Sequence, residues 1–342
     1  MKNIAYLLVL LLFAGQDTFS QRGEQEFTVM FYNVENLFDT IDDPDVRDEE
    51  FTPGSSKQWN SERYAKKLSD LTRVILSVPD GTLPAIVGLA EVENEEVLND
   101  LVQQHGLRQH GYRVILVEGN DPRGIDCGMI YRPDLFRYRS HQLIGVDDLS
   151  GDDYPLRGIL YVQGTGPDGK PLHIYINHWK SRYGGVQETE HLRVYSAITI
   201  RKEVDKLLST EAAPRVIIMG DLNDEPTNKS IFDVLHASGK RKNISVNDLY
   251  NLFYDQHNLD LAGSYSYRGT WQMYDQIIIS YSLLNREDGL TVSFDGGKVL
   301  KEPWMLYHDE RNNAHIPNRT YGGDNYFGGI SDHFPIYTTF TW

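Results

Sequence analysis

Short apolar runs recur along almost the whole chain, each broken by a polar or glycine-containing turn. Phe27 to Tyr32, Ala85 to Ala90, Tyr112 to Val117, Cys127 to Tyr131, Ile159 to Val162, Leu172 to Ile176, Arg215 to Met219, Tyr274 to Ile279 and Phe334 to Phe340 read as strands. Three segments carry helical spacing instead. Tyr64, Leu68, Leu71, Ile75 and Val78 recur at four- and three-residue steps, with Asn60 placed to cap the start. Val97, Leu98, Leu101 and Val102 form a second apolar face, and Leu192 through Leu208 a third, long one. Strands outnumber helices, and no repeat, low-complexity tract or Pro/Ser-rich linker divides the chain. The pattern predicts one thick α/β domain over residues 24–342, a four-layer α/β/β/α sandwich of two packed mixed sheets with helices outside.

The N-terminus follows a different pattern. Met-Lys-Asn precedes an apolar run from Ile4 to Ala14, and small side chains at Thr18 and Ser20 stand before a cleavage point. The run is far shorter than the roughly 20 residues of a bilayer span, so residues 1–20 are expected to be a signal peptide. The expected protein is exported, periplasmic or secreted, monomeric and without stable membrane insertion.

Charge narrows the function. Lys2 and Asp17 cancel, so removal of the leader would leave the net charge of -16 unchanged. A protein that holds DNA by neutralising many phosphates is basic, which argues against a tight non-specific binder. An enzyme that touches a few phosphates and releases product is compatible with this balance. The lone cysteine, Cys127, cannot form an internal disulfide and lies in an apolar strand, where it reads as a small core residue.

The polar residues worth attention fall at strand ends, where a rigid scaffold displays reactive groups. Asn33, Glu35 and Asn36 close the first run; an amide can contact a phosphate, and Glu35 is a hard ligand for Mg²⁺ or Ca²⁺. Glu91 and Glu93 would share one face if their strand continues, either binding a cation or lying in solvent. Asn177-His178-Trp179-Lys180-Ser181-Arg182 delivers an imidazole and two cations suited to a phosphate. After Gly220, Asp221 can orient or deprotonate a water while Asn223 steadies the phosphate. Asp275 opens a strongly apolar strand, an odd place for a charge unless it is paired. Asp332-His333 stands just before the last strand. A carboxylate bonded to His333 would fix its tautomer. Each segment alone also reads as an ordinary polar turn; gathered at one sheet edge they would suit metal-assisted hydrolysis of a phosphate ester.

In order, Asn-Val-Glu, Ala-Glu-Val-Glu, Gly-Asp-Leu-Asn and Ser-Asp-His-Phe-Pro resemble the endonuclease/exonuclease/phosphatase superfamily, from about Phe27 to Trp342. That superfamily includes deoxyribonuclease I, abasic-site endonucleases, bacterial sphingomyelinases and inositol-polyphosphate phosphatases. The resemblance implies Mg²⁺, with Mn²⁺ or Ca²⁺ as alternatives, held by Glu91 with Asn33, Glu35 and Asp332 nearby. It implies Asp221 with Asn223 at the attacking water, His333 paired with Asp275, and His178 as a second histidine polarising the phosphate. Gln276 follows Asp275 where inositol-polyphosphate phosphatases show Cys-Asp-Arg, which lowers that branch. The segments Arg123-Gly124-Ile125-Asp126 and Asn177 to Arg182 look more like those of secreted bacterial nucleases. Nucleic acid is therefore the expected substrate, with Arg123, Lys180 and Arg182 as phosphate contacts and Trp179 or Tyr183 as stacking candidates. The alternatives are a lipid head group or small phosphate ester, and a non-catalytic binding module. The stretch Asn312 to Gly329 is expected to be a mobile loop facing the substrate.

Overall fold

The computed structural model describes residues 25–79, 82–151, 154–258, 263–284 and 289–342; the expected signal at 1–20 lies outside them. In chain order the main strands are β1 (Glu26–Leu37), β2 (Ile86–Val92), β3 (Arg113–Leu116), β4 (Asp126–Tyr131), β5 (Arg137–Ile144), β6 (Ile159–Thr165) and β7 (Pro171–His178). They continue with β8 (Val216–Asp221), β9 (Ala237–Ser238), β10 (Leu249–Asn251), β11 (Asp275–Ser280), β12 (Lys298–Val299) and β13 (Ile336–Thr341). The helices are α1 (Ser61–Leu76), α2 (Glu95–Val102) and α3 (Val186–Thr210). One sheet has six strands in the order β12-β13-β1-β2-β4-β3, the other seven in the order β5-β6-β7-β8-β11-β10-β9.

Side-chain alternation builds the layers. Phe27, Val29 and Phe31 of β1 face Ile174, Ile176, Ile217, Met219 and Ile277 of the other sheet, filling the space between sheets. Met30 and Tyr32 turn the other way, against Leu68 and Leu71 of α1. Ile218 and Ile278 turn outward onto Ala197, Ile200 and Val204 of α3. Both faces of the central strands are therefore covered, which is why they read as continuous apolar runs. The four-layer α/β/β/α arrangement is as expected. Asn60 caps α1, its side chain accepting from the backbone of Glu62 and Arg63.

Two departures have physical causes. β5 was not visible in the pattern because Arg137 to Gln142 is an exposed edge strand of mixed polar residues. The stretch expected as a mobile loop instead folds into hairpins: Leu306–Asp309 pairs Ala314–Pro317, and Tyr321–Gly322 pairs Asn325–Tyr326. Buried groups beneath it, described below, hold it to the core. Among the described residues, no helix is long and apolar enough to cross a membrane.

Each sheet has a parallel pair within it, β1 with β2 and β7 with β8. The C-terminal ends of these four strands meet at one edge of the sandwich. β11 runs antiparallel to β8 and starts at that edge, with Asp275 opposite Asp221. The chain reaches the same edge again at Asp332 and His333, just before β13.

Candidate active site

Asp221 ends β8 fully inside the protein, and three groups converge on its Oδ2. Asn33 Nδ2 donates to it at 3.1 Å. His178 Nε2 lies 3.8 Å away and His333 Nε2 3.7 Å away. The other oxygen, Oδ1, accepts from the backbone N–H of Asn223 at 3.0 Å, which fixes the carboxylate plane. His333 is gripped from behind: its Nδ1 bonds Asp275 Oδ2 at 2.6 Å, and its ring packs on Tyr265 with centroids 4.8 Å apart. The charge that looked out of place at the start of β11 is paired, as burial requires.

The two histidines are driven apart in charge. Burial opposes the imidazolium of His333, but the Asp275 and Asp221 carboxylates overcome it and hold the group well above the ordinary histidine range. His178 lies well below that range, because of burial and the nearby cations Arg157 and Arg123. Burial pushes Asp221 up to about 7, against the pull of His333. A charged ring, a neutral ring and a poised carboxylate around one point are the parts of an acid–base site.

Backbone strain gathers here. Glu35, Asn36, Glu91 and Asn223 all take left-handed φ values, 52°, 58°, 64° and 51°, uncommon for residues other than glycine. Glu91 sits where the register of β2 shifts against β4, so it is a bulge residue and alternation fails at that point. Glu91 and Glu93 consequently part company instead of sharing a face. Glu91 lies beside His178 at 3.8 Å and accepts from Asn33 Nδ2 at 3.3 Å and Asn36 N–H at 3.0 Å. Glu93 accepts from Asp39 N–H at 2.6 Å, and burial with the Asp39, Asp48 and Asp43 carboxylates pushes it up to about 8.

Several expected roles change. Asn33 was expected near the metal as a ligand, but its oxygen accepts from Glu35 N–H at 3.1 Å and its NH₂ points at carboxylates. An amide nitrogen has no lone pair for a cation, so Asn33 braces the acids instead. Glu35, also expected to bind metal, is buried with its oxygens on the backbone N–H groups of Thr320 and Tyr321, at 2.7 and 3.2 Å. Lys67 reinforces it, donating to Glu35 O at 3.2 Å, to Thr320 Oγ1 at 2.7 Å and to Ile330 O. These contacts fasten the hairpin stretch to the core. Asp332 forms an ion pair with Arg319 at 2.5 Å through Oδ2, while Oδ1 stays 4.0 Å from His333 Nε2.

The basic residues separate. Arg182 lines the catalytic cleft, but its guanidinium bonds Asn223 O at 2.8 Å, Asp224 at 2.9 Å and Asn228 at 2.7 Å, so it acts as a tie. Arg123 and Lys180 lie in a neighbouring cavity that shares His178 and Ser181 with the cleft. Trp179 is 2 % exposed and donates to Asn177 Oδ1 at 3.1 Å, so it cannot stack on a ligand. Tyr183, 89 % exposed on the cleft rim, can. Asn223 commits one of its two amide hydrogens to Trp179 O at 3.1 Å.

Sequence patterns missed Arg157, whose guanidinium bonds His178 O and Trp179 O at 2.8 Å each and Asp121 at 2.7 Å. It has no motif around it. Tyr265 was missed for the same reason.

The cleft itself is open, about 840 Å³, and is lined by Glu91, His178, Asp221, Asp332 and His333 with Tyr183, Tyr265, Tyr267 and Tyr274. Glu91 and Asp332 present hard carboxylate oxygens on its wall, a donor set that fits a Mg²⁺-like cation keeping waters for its other positions. Asp221, Asp275 and His333 also bring ligand atoms within 4.8 Å of one another. That group is a poorer cage, since His333 Nδ1 is engaged by Asp275 and a charged ring has no lone pair to give.

A two-sheet sandwich that gathers carboxylates and two histidines at one edge defines a metal-dependent phosphoric ester hydrolase. The endonuclease/exonuclease/phosphatase family model matches residues 28–341, and the chain belongs to that family. Solved structures show the same fold at low identity. A family member from Bacteroides thetaiotaomicron is 18% identical, with a TM-score of 0.56 over 94% of this chain and 99% of that one. A mannosyl-6-phosphatase from the same organism is 17% identical, with a TM-score of 0.57 over 92% and 100%. TDP2 from D. rerio, complexed with a single-strand DNA product, is 16% identical, with a TM-score of 0.54 over 92% and 98%. No curated protein sequence matches significantly.

Proposed function

We propose that this protein is an exported, Mg²⁺-dependent phosphodiesterase that hydrolyses nucleic acid. The observation that carries the chemistry is the placement of Asp221 Oδ2 between His333 Nε2 at 3.7 Å and His178 Nε2 at 3.8 Å, at the base of a tyrosine-lined cleft. Asp221, lifted to about 7, takes the proton of a water attacking in line. His333, kept charged by Asp275, faces the charge that builds on the phosphoryl group. His178, kept neutral, offers a ring N–H to the same oxygens. A Mg²⁺ held by Glu91 and Asp332 would supply charge neutralisation to the phosphoryl oxygens. Tyr183 and Tyr267, both exposed on the cleft, are suited to stacking on bases. The apolar run at the N-terminus supports export.

A second reading, a phosphomonoesterase for a sugar phosphate, is favoured by the scarcity of free cations: of the cleft's two arginines, Arg182 is committed to Asp224 and Asn228. The similar mannosyl-6-phosphatase points the same way. One assay separates them. Purified protein with Mg²⁺, with and without chelator, is offered single-stranded DNA, RNA, plasmid, sphingomyelin vesicles and mannose 6-phosphate. Chelator-sensitive cleavage of a polynucleotide supports the proposal; turnover of the sugar phosphate or the lipid alone overturns its substrate.

A further inference from the structure

The cavity beside the catalytic cleft has its own construction. Among the described residues, four cationic side chains, Arg47, Arg123, Arg157 and Lys180, line it with a single carboxylate, Asp121. In a chain of net charge -16, so dense a positive pocket needs a cause. Asp121 is spent on Arg157 at 2.7 Å, with a longer 3.4 Å approach to Arg123. Among the described residues Lys180 has no ion pair, its Nζ lying 5.2 Å from the Tyr154 ring centroid. Among the described residues Arg47 bonds only through its backbone, Arg47 N–H to Pro122 O at 2.8 Å, with no partner for its guanidinium.

Three separate chain segments are stitched together to make this pocket. Arg157 ties the loop of Asp121 to the strand end at His178 and Trp179, by bonds of 2.7, 2.8 and 2.8 Å. The loop of Arg47 rests directly on the turn of Arg123: a Cβ on Gly124 would stand 2.8 Å from Val46 Cγ2, and Gly124 has φ +65°. The three free or nearly free cations are thus held by scaffold and not by each other's counter-charges. His178 lines both this pocket and the cleft, its Nε2 lying 3.8 Å from Asp221 Oδ2.

We infer that the pocket is a subsite for a second, non-scissile phosphoryl group on the same substrate molecule, bound while the scissile one sits against Asp221, His178 and His333. The inference rests on the phosphoesterase reading and deepens it: because the two cavities adjoin, the preferred substrate carries a second phosphate close to the scissile one, as neighbouring nucleotides do. Arg123 and Lys180 then select substrate, while Arg182 ties the cleft wall.

The test compares a thymidine dinucleotide bearing only its internal phosphodiester with the same dinucleotide phosphorylated at its 5′ or its 3′ end. The wild-type full chain with Mg²⁺ should prefer one phosphorylated form in kcat/KM by about tenfold or more, the size of one charge-assisted hydrogen bond. Arg123→Gln, at an exposed position, and Lys180→Met, at a half-buried one, should each reduce that preference through KM. The subsite is overturned if wild type is indifferent to the added phosphate, or if the preference survives both variants. Absence of cleavage of any dinucleotide is a separate failure, of the nuclease reading. The subsite is then decided by the same comparison between a hexose monophosphate and a hexose bisphosphate.

Discussion

His333 Nε2 stands 3.7 Å from Asp221 Oδ2 while the opposite nitrogen of the same ring bonds Asp275 at 2.6 Å. One imidazole therefore links two buried carboxylates from neighbouring strands, β8 and β11. Its charge depends on both, and so do the pH limits of the reaction.

Asp275→Asn should move the alkaline limb of kcat/KM to lower pH. Asp275 raises the His333 value, so removing its charge lowers the pH at which the ring loses its proton. A pH–rate profile with an unmoved alkaline limb would assign that limb to another group.

Asp221→Asn should reduce kcat by about a hundred- to ten-thousand-fold, the range for losing a positioned base. The amide keeps the shape and one acceptor oxygen, which can still take the Asn223 N–H, but its NH₂ then faces the Asn33 donor and that bond is lost. Activity retained within tenfold, in protein shown by circular dichroism to be folded, contradicts the role given to Asp221.

Glu91→Gln should weaken Mg²⁺ binding independently of turnover. Ligands that bind only the folded state raise its stability, so Mg²⁺ should raise the Tm of wild type and raise it less in the variant. Equal shifts in both proteins would remove Glu91 from the metal site.

Glu93 answers a different question, since it lies outside the catalytic cleft among Asp39, Asp43 and Asp48. Its folded value is raised, so its contribution is full below the ordinary value of 4.5 and is lost as pH rises through about 8. Glu93→Gln can still accept the Asp39 N–H and should unfold later than wild type at pH values above that window. Identical thermal melts across the window would show that the carboxylate carries no such cost.

Much of this arrangement was legible beforehand, for reasons visible in particular residues. Strands covered on both faces, such as Val216–Asp221, advertise themselves as apolar runs, and Asp275 stood out because a charge at the head of Ile277-Ile278-Ile279 needs a partner. The reversal at Glu91 was not legible, because alternation breaks at a bulge that only the pairing with β4 creates. The bracing contacts of Glu35 and Asn33 were hidden for a related reason. A carboxylate and an amide beside a catalytic strand end look the same whether they face a ligand or brace a loop from far along the chain. Arg157 was invisible because two of its three partners are backbone carbonyls, which leave no mark on composition, and the third, Asp121, lies far from it in sequence.

Gly220→Ala should destabilise the fold by roughly 1–3 kcal/mol, as overpacking typically does. An added Cβ would lie 2.4 Å from Asn177 O and 2.6 Å from Asn177 Cβ, across the parallel pairing of β7 and β8. Urea denaturation measures this directly. A variant as stable as wild type would mean that the two strands separate there without penalty.

The pairing of β1 with β13, in which Glu26 faces Thr341, has a consequence for when the enzyme becomes dangerous. During synthesis Asn33, Glu91, His178 and Asp221 emerge long before His333, whose strand then pairs beside the first. A growing chain therefore lacks the charged imidazole until its final strand can dock. Until that strand docks beside β1, Asp221 and His178 stand without their charged partner, so the order of folding keeps the incomplete protein inert.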